Sequence, residues 1–387
     1  MEKIKTGIIG MGFIGATHID AIRRVGAVDL IAVADVNYEL AKSKADSYCI
    51  EKCYADFEEL ISDPEIQVVH NCTPNYLHNE VNEKLIRAGK HVFSEKPLTK
   101  TVDESEKLVD LLGQHPDVVA GVNFCYRMTP LVQDMKHKIK DGVLGKVFLV
   151  HGSYLQDWLL FDTDYNWRVE PELAGKSRAV ADIGSHWMDT AQTVLGSKIV
   201  AVCADLMTAH PVRKKPLSEV ETFAVNSSDV EYDEINIDTE DYAGVLLKFD
   251  NGVTGIYYIS QVSAGRKCHL DIEVNGSKAS FYWNQQTSDR MWKGNRDSNN
   301  EIVLRNPILM DQAVREYTYM PSGHPEGWND AMKNNLFAFY KFIRDGKKHA
   351  ADNCDFATFE NGHYIMRLTE AILKSSEEKR WVDIEEI

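Results

Sequence analysis

Cysteine is sparse in this chain: seven residues in 387, odd in number, scattered, and never arranged as Cys-x-x-Cys. Cys49-x-x-x-Cys53 has no second pair at the spacing of a zinc site, so neither a disulfide framework nor a cysteine-held metal is expected. Long apolar runs are missing as well. No segment approaches the roughly 20 consecutive apolar residues that a membrane helix needs. Lys3 and Lys5 ahead of the apolar stretch Gly7 to Ala16 imitate a secretion signal, but cleavage there would destroy the glycine motif described next, and Arg23-Arg24 fall too late for a twin-arginine signal. The cytoplasm is the expected location. Positive charge is in deficit too, with 43 Lys and Arg against 59 Asp and Glu, a formal charge of −16. Such a surface repels a nucleic-acid backbone or an anionic membrane at long range, which leaves a small molecule as the expected partner. The short basic run Arg213-Lys214-Lys215 reads as a solvated loop.

What is present begins with Gly10-x-Gly12-x-x-Gly15. Ile4 to Ile9 reads as a buried strand, and Ala16 to Val25 carries Ile19, Ile22 and Val25 at helical spacing, so the glycines lie in a strand-turn-helix unit. Gly10 suits the tight turn, Gly12 lets the backbone approach a pyrophosphate, Gly15 allows close helix packing, and the helix N-terminus faces the phosphates. The next strand, Leu30 to Ala34, ends in Asp35, twenty residues beyond Gly15, where a carboxylate can accept hydrogen bonds from a ribose. A 2′-phosphate would meet that carboxylate unfavourably and no Arg stands beside it, so NAD is favoured over NADP. The alternation continues through Gln67 to Cys72, Asn79 to Ala88 and His91 to Ser94. It predicts a parallel sheet with ligands beyond the carboxyl ends of its strands, where Thr73-Pro74-Asn75 and Glu95-Lys96-Pro97 both fall. Proline at 97 biases Lys96 to an extended backbone that turns from the strand.

Together these residues resemble the Gfo/Idh/MocA family, that of glucose-fructose oxidoreductase and inositol dehydrogenase. The resemblance spans most of the chain: the glycine fingerprint, Cys72-Thr73-Pro74-Asn75-x-x-His78, Glu95-Lys96-Pro97 and Asp182-x-Gly184-x-His186, in the family's order. It implies an α/β Rossmann dinucleotide-binding domain, residues 1–124, and an α+β domain, residues 125–387, on an open, mainly antiparallel sheet that binds substrate and builds a homodimer or homotetramer. The cofactor-binding set carried over is Gly10, Gly12, Phe13, Ile14, Gly15, Asp35, Thr73, Pro74, Asn75, His78, Glu95 and Lys96. Independently of the resemblance, strand-like runs at Lys146 to Tyr154, Ile199 to Leu206, Tyr242 to Phe249, Gly255 to Ser260 and His269 to Val274 replace the alternation, with hairpin turns at Asn251-Gly252 and Asn275-Gly276. The polar stretch from Pro211 to Glu240 reads as an excursion from that sheet, and Phe356 to Ser375 as a long amphipathic helix.

Oxidation of a secondary alcohol passes hydride to nicotinamide while a base takes the hydroxyl proton. On the family pattern the catalytic residues are Lys96, Asp182 and His186, with no metal. His186 is the candidate base, Asp182 orients it or binds substrate, and Lys96 stabilises the reacting oxygen or relays the proton itself. Asp157, Trp167, Arg168 and His324 are the further substrate candidates: carboxylates and amides bind hydroxyl pairs and indoles cover C–H faces, which suits a sugar or polyol. Arg168 pairs either with Asp157 or with a substrate oxygen, and Trp158, Trp167 and Trp328 serve equally well as core anchors. His78 and His91 read as structural rather than catalytic, and Tyr126 and Arg127 as easily lock the interdomain turn as touch substrate. Where family members carry glycines before the aspartate signature, this chain has Lys176-Ser177-Arg178, which places bulky cations on the approach, tells against inositol and leaves glycosides, anhydrosugars and disaccharides, oxidised at a ring position such as C3. Two other readings stand beside this one: an NADP-dependent keto-sugar reductase and a non-catalytic nucleotide-binding sensor. The intact set Lys96, Asp182 and His186 argues against the sensor.

Overall fold

The computed structural model describes residues 3–217, 231–348 and 354–387. It divides into one unit of Met1–Met128 with Asn329–Met366, and a second of Thr129–Trp328 with Arg367–Ile387.

Short apolar strands alternating with amphipathic helices build the first unit: β1 (Ile4–Ile9), α1 (Phe13–Val25), β2 (Val28–Ala34), α2 (Tyr38–Ser47), β3 (Lys52–Tyr54), α3 (Phe57–Ser62), β4 (Val68–Asn71), α4 (Asn75–Arg87), β5 (His91–Ser94), α5 (Val102–Gly113) and β6 (Ala120–Val122). β1, β4 and β5 are buried along nearly their whole length, which is why they read as continuous apolar runs rather than alternating ones. The sheet order is β3-β2-β1-β4-β5-β6, all parallel, and the direction of winding reverses between β1 and β4. The strand Ala357–Thr358 adds antiparallel to β6. The helix Trp328–Arg344 brings Phe339 against Phe93 and Phe356, with ring centroids 5.0 and 5.3 Å apart. The first unit is therefore not closed at residue 124. A later segment completes it, because the apolar face of that helix is buried against this sheet and Ala357–Thr358 covers its edge.

In the second unit the chain runs through α6 (Pro130–Lys140), β7 (Val147–Leu155), α7 (Pro171–Ala174), α8 (Ser185–Leu195), β8 (Ile199–Met207), β9 (Val212–Pro216), β10 (Tyr232–Asn236), β11 (Tyr242–Phe249), β12 (Thr254–Ser260), β13 (His269–Gly276), β14 (Ser280–Asn284), β15 (Arg290–Gly294) and β16 (Glu301–Leu304). Among the described residues, strands β16-β15-β14-β13-β7-β12-β11-β8, with Val382–Asp383 at the far edge, form one sheet in which only the β12–β7 pair is parallel. Alternation sets its two faces: Val245, Leu247, Tyr257, Ile259, Ile272, Phe281 and Trp283 point inward and are buried, whereas Leu246, Ile256 and Tyr258 are exposed on the other side. Trp187 of α8 stacks on Tyr257 at 4.5 Å, so α8 covers the inner face.

The hairpin turn at Asn251-Gly252 forms where expected, but Asn275-Gly276 is still in β13, paired with β14 and β7, and the β13–β14 turn falls later, at Ser277-Lys278. The excursion from Pro211 to Glu240 contains the antiparallel pair β9–β10, and its residues 218–230 lie outside the described residues. Arg213-Lys214-Lys215 is a strand rather than a solvated loop: Arg213 is fully buried against Asp241, while Lys214 pairs with Asp162 and Lys215 with Glu170. The long helix runs Phe359–Glu378, a few residues later than the apolar pattern suggested. Among the described residues no helix is long and apolar enough to cross a membrane.

Candidate active site

In the first unit the three glycines do three different things. Gly10 has φ +94°, and a Cβ there would lie 2.5 Å from the Cys72 carbonyl oxygen, so only glycine lets β1 end this close to the chain leaving β4. At Gly15 a Cβ would lie 2.0 Å from the Gly10 carbonyl oxygen, which makes the turn itself impassable to a side chain. A Cβ on Gly12 would meet nothing within 4 Å, so it would project into open space. α1 starts directly after Gly12 with no side-chain cap, and Phe13 and Gly12 are exposed. An uncapped helix start facing open space is what a pyrophosphate requires, and the residues present fit a dinucleotide.

Asp35 follows β2 and is held by two backbone N–H groups. One carboxylate oxygen accepts the Met11 N–H at 2.7 Å and the other the Asn37 N–H at 2.8 Å, so Asp35 also braces the glycine turn. An ionised carboxylate has about four acceptor sites, which leaves two for hydroxyls. Thr73 donates its hydroxyl to Asn71 Oδ1 at 2.6 Å, and Pro74 opens α4 at Asn75. His78 is buried, with Nδ1 2.6 Å from the Pro97 carbonyl oxygen and Nε2 2.8 Å from that of Thr73. It ties the two strand-end loops together. Burial holds its imidazole below the usual range.

The Lys96–Pro97 peptide is cis, and Lys96 is half-buried. Beside it, Glu95 is embedded in a polar cluster that no motif marks. His18 Nε2 lies 2.8 Å and Asn123 Nδ2 2.6 Å from Glu95 Oε1, and the Lys96 N–H donates to Oε2 at 3.2 Å. From His18 the chain of contacts continues to His70 at 2.7 Å, to the Tyr340 hydroxyl at 2.7 Å and to Thr6 at 2.8 Å, all buried. Burial by itself pushes the Glu95 carboxyl up. The hydrogen bond and attraction of His18, the Asn123 amide and the Lys96 charge outweigh it and bring the group down to about 2. Glu95 is thus a fixed anion beside Lys96. His70 is driven well below the imidazole range by burial and by His18.

In the second unit, Val180–Gly184 forms a π-helical turn that runs straight into α8. Such turns widen the helix by one residue and recur at functional sites. Asp182 sits in this turn, half-buried, and His186 in the first turn of α8, 8% exposed and with its ring centroid 6.3 Å from that of Tyr154. Asp182 and His186 are therefore separated by a π-to-α junction rather than by a regular α turn. Lys176 is exposed, but Arg178 is buried and turned toward Asp241, Thr239 and Gln261, so it does not stand on an approach as the sequence suggested. Glu240 accepts hydrogen bonds from the Ser177 hydroxyl and the Arg178 and Val180 N–H groups, fixing the entry to the π turn. Burial raises the Glu240 carboxyl above its ordinary range against those hydrogen bonds.

The other substrate candidates are spread over this unit. Asp157 pairs with Lys267 and accepts the Gly265 N–H, not Arg168; Arg168 lies 4.4 Å over the Trp167 ring and donates to Asn166. Trp158 packs against the Leu159, Val169 and Ile237 cluster. His324 is exposed in a turn whose carbonyls, its own included, are gripped by buried Arg305. Gln261 and Asn123 escaped sequence reasoning, and Arg178 was read without its partners, because those partners are far away along the chain. The one local signal is the run Thr239-Glu240-Asp241, three polar residues entering a strand.

Residues 4–124 match the family model described as an oxidoreductase family with NAD-binding Rossmann fold, and residues 132–282 match the GFO/IDH/MocA C-terminal domain. Levoglucosan dehydrogenase of Pseudarthrobacter phenanthrenivorans is 29% identical over 412 aligned residues, spanning 100% of both chains. Myo-inositol 2-dehydrogenase of Thermotoga maritima is 24% identical over 386, spanning 99% of each. A solved structure of levoglucosan dehydrogenase in complex with NADH and levoglucosan superposes with a TM-score of 0.88 at 27% identity, covering 99% of this chain and 100% of that one. The fingerprint that cradles a dinucleotide and the open antiparallel sheet that follows it place this chain in the GFO/IDH/MocA family of NAD-binding oxidoreductases.

Proposed function

We propose that this oxidoreductase uses NAD to oxidise a ring secondary alcohol of a sugar, with an anhydrosugar such as levoglucosan as the first substrate to test. The observation that carries the reading is the Asp182–His186 pair on its π-to-α junction, an acid–base pair in a chain similar over its whole length to a levoglucosan dehydrogenase. NAD supplies the hydride acceptor. The chain's own residues supply proton management: the His186 imidazole takes the hydroxyl proton, Asp182 orients that imidazole or a substrate hydroxyl, and the Lys96 ammonium donates to the oxygen on which alkoxide charge develops. The Glu95 anion keeps a counter-charge beside Lys96. Asp157, Trp167, Arg168 and His324 are the specificity candidates. A homodimer or homotetramer, formed through the exposed face of the second sheet, completes the proposal.

The test is NADH formation with levoglucosan, glucose, glucosides and myo-inositol, repeated with NADP, on the wild-type protein and Lys96→Met. The expected result is turnover with NAD on one sugar subset, lowered by about 100-fold or more in Lys96→Met while NAD affinity stays within about twofold. Tight NAD binding with no turnover on any sugar would overturn the substrate class. Loss of NAD binding together with turnover in Lys96→Met would make Lys96 a cofactor ligand rather than a reacting group.

A further inference from the structure

Gln261 follows β12 directly and is fully buried. Its Nε2 donates to Asp182 Oδ2 at 2.8 Å, and its Oε1 accepts from Arg178 Nη1 at 3.1 Å. A guanidinium has no acceptor and an ionised carboxylate no donor, so this amide fits one way round only, oxygen toward Arg178 and nitrogen toward Asp182. Arg178 cannot swing away to release it. Its Nε donates to Thr239, its Nη2 to Asp241, and its backbone N–H to Glu240. Asp241 is in turn shared with buried Arg213 at 2.8 Å. Two arginines and two acids thus form a buried frame around one end of the amide.

We propose that Arg178 and Gln261 are positioning residues for Asp182: the buried guanidinium fixes the amide, and the amide holds the Asp182 carboxylate as an oriented acceptor at the entrance to α8. The proposal rests on the assignment of Asp182 to proton management, and it gives a purpose to the Lys176-Ser177-Arg178 departure from the family's glycine run. The charged and titratable groups around this turn are Arg178, Glu240 and Asp241, Arg213 behind them, His186 four residues on, and the Tyr257 hydroxyl, 3.4 Å from a Cβ built at Gly184.

Gln261→Glu tests it. The variant keeps the side-chain shape and the acceptor facing Arg178, but replaces the donor to Asp182 with a second carboxylate. Two adjoining carboxylates ionise together only at a cost, so a proton is retained between them to higher pH. The expected result is an acidic limb of kcat/KM moved up by about one pH unit or more, kcat at neutral pH lowered about tenfold or more, and KM for NAD unchanged. A readout independent of turnover is the 13C carboxyl resonance of Asp182, assigned by its loss in Asp182→Asn, whose titration midpoint rises in Gln261→Glu. If the wild-type enzyme oxidises no sugar, the functional reading fails while this resonance still tests the contact. Should Gln261→Glu not fold, Gln261→Met keeps the volume and removes the donor, and the same upward displacement is expected. A resonance and an acidic limb that do not move in the folded variant overturn the proposal.

Discussion

Glu95 shows how one residue can be read in sequence as part of a motif yet owe its behaviour to residues far from it. Its carboxyl is brought to about 2 by His18 from α1, Asn123 beyond β6 and neighbouring Lys96, against the burial that would raise it. The unfolded carboxyl titrates near about 4.3. A folded pKa below the unfolded one contributes stability that is fully present above the unfolded value and is lost as pH falls through the folded value. The window is therefore from about 4.5 down to about 2. Glu95→Gln is expected to lower the melting temperature at neutral pH, because an amide repels a donor that the carboxylate accepts, and the gap to wild type should shrink as pH drops through that window. Thermal melts of both proteins between neutral pH and the acid limit check this. A gap that stays constant with pH would mean that Glu95 is not the anion described. The motif Glu95-Lys96-Pro97 was legible in the sequence, as were Asp182 and His186. The support was not, because His18, His70, Tyr340 and Thr6 come from α1, β4, the helix Trp328–Arg344 and β1, and no local pattern joins positions so far apart.

At the scale of elements, the turn between β1 and α1 separates two kinds of glycine that the motif treats alike. Gly15 is needed by the fold, since a Cβ there would collide with a backbone carbonyl, whereas Gly12 faces open space in an ordinary extended conformation. Gly12→Ala is accordingly expected to change stability by no more than about 1 kcal/mol, while NAD affinity falls about tenfold or more as the methyl enters the pyrophosphate's place. Gly15→Ala should lose both affinity and melting temperature. Calorimetry of NAD binding beside thermal melts separates the two, and equal stability losses would refute the distinction. Elements with a strong period were legible to within a few residues: β1, β5 and β11 coincide with their apolar runs. α4 begins at Asn75 rather than Asn79 because Pro74 serves as its cap, so the loop motif Thr73-Pro74-Asn75 is already a helix start. The π turn at Val180–Gly184 was not legible, since its extra residue is held by Glu240 and Gln261, which lie some sixty to eighty positions away.

For the whole molecule, a single cut of the chain after residue 124 follows the break in alternation but misses the return of Asn329–Met366 to the first unit. A pattern records that a helix is amphipathic and not which sheet its apolar face will meet. The second sheet poses the converse case, a partly apolar face with no covering element in the described chain. On its outer side Cys203, Leu246, Ile256, His151, Glu273, Tyr282, Trp292 and Ile302 stand in register across eight strands. Leu246, Ile256 and Ile302 are 43%, 51% and 59% exposed. Leaving such a row in water forfeits roughly 25 cal/mol per Å² of apolar surface, and a second copy of the same face is the symmetric way to cover it. The formal charge of −16 on each chain opposes that association at low ionic strength and is screened by salt. Ile256→Glu, placed within the row beside Leu246, adds a further negative charge to each contacting face and buries it against its symmetry mate. Light scattering coupled to gel filtration should find an oligomer for the wild-type protein, tightened by salt, and a smaller species for Ile256→Glu with its thermal transition retained. An oligomer of unchanged mass in the variant would assign the subunit interface to another surface.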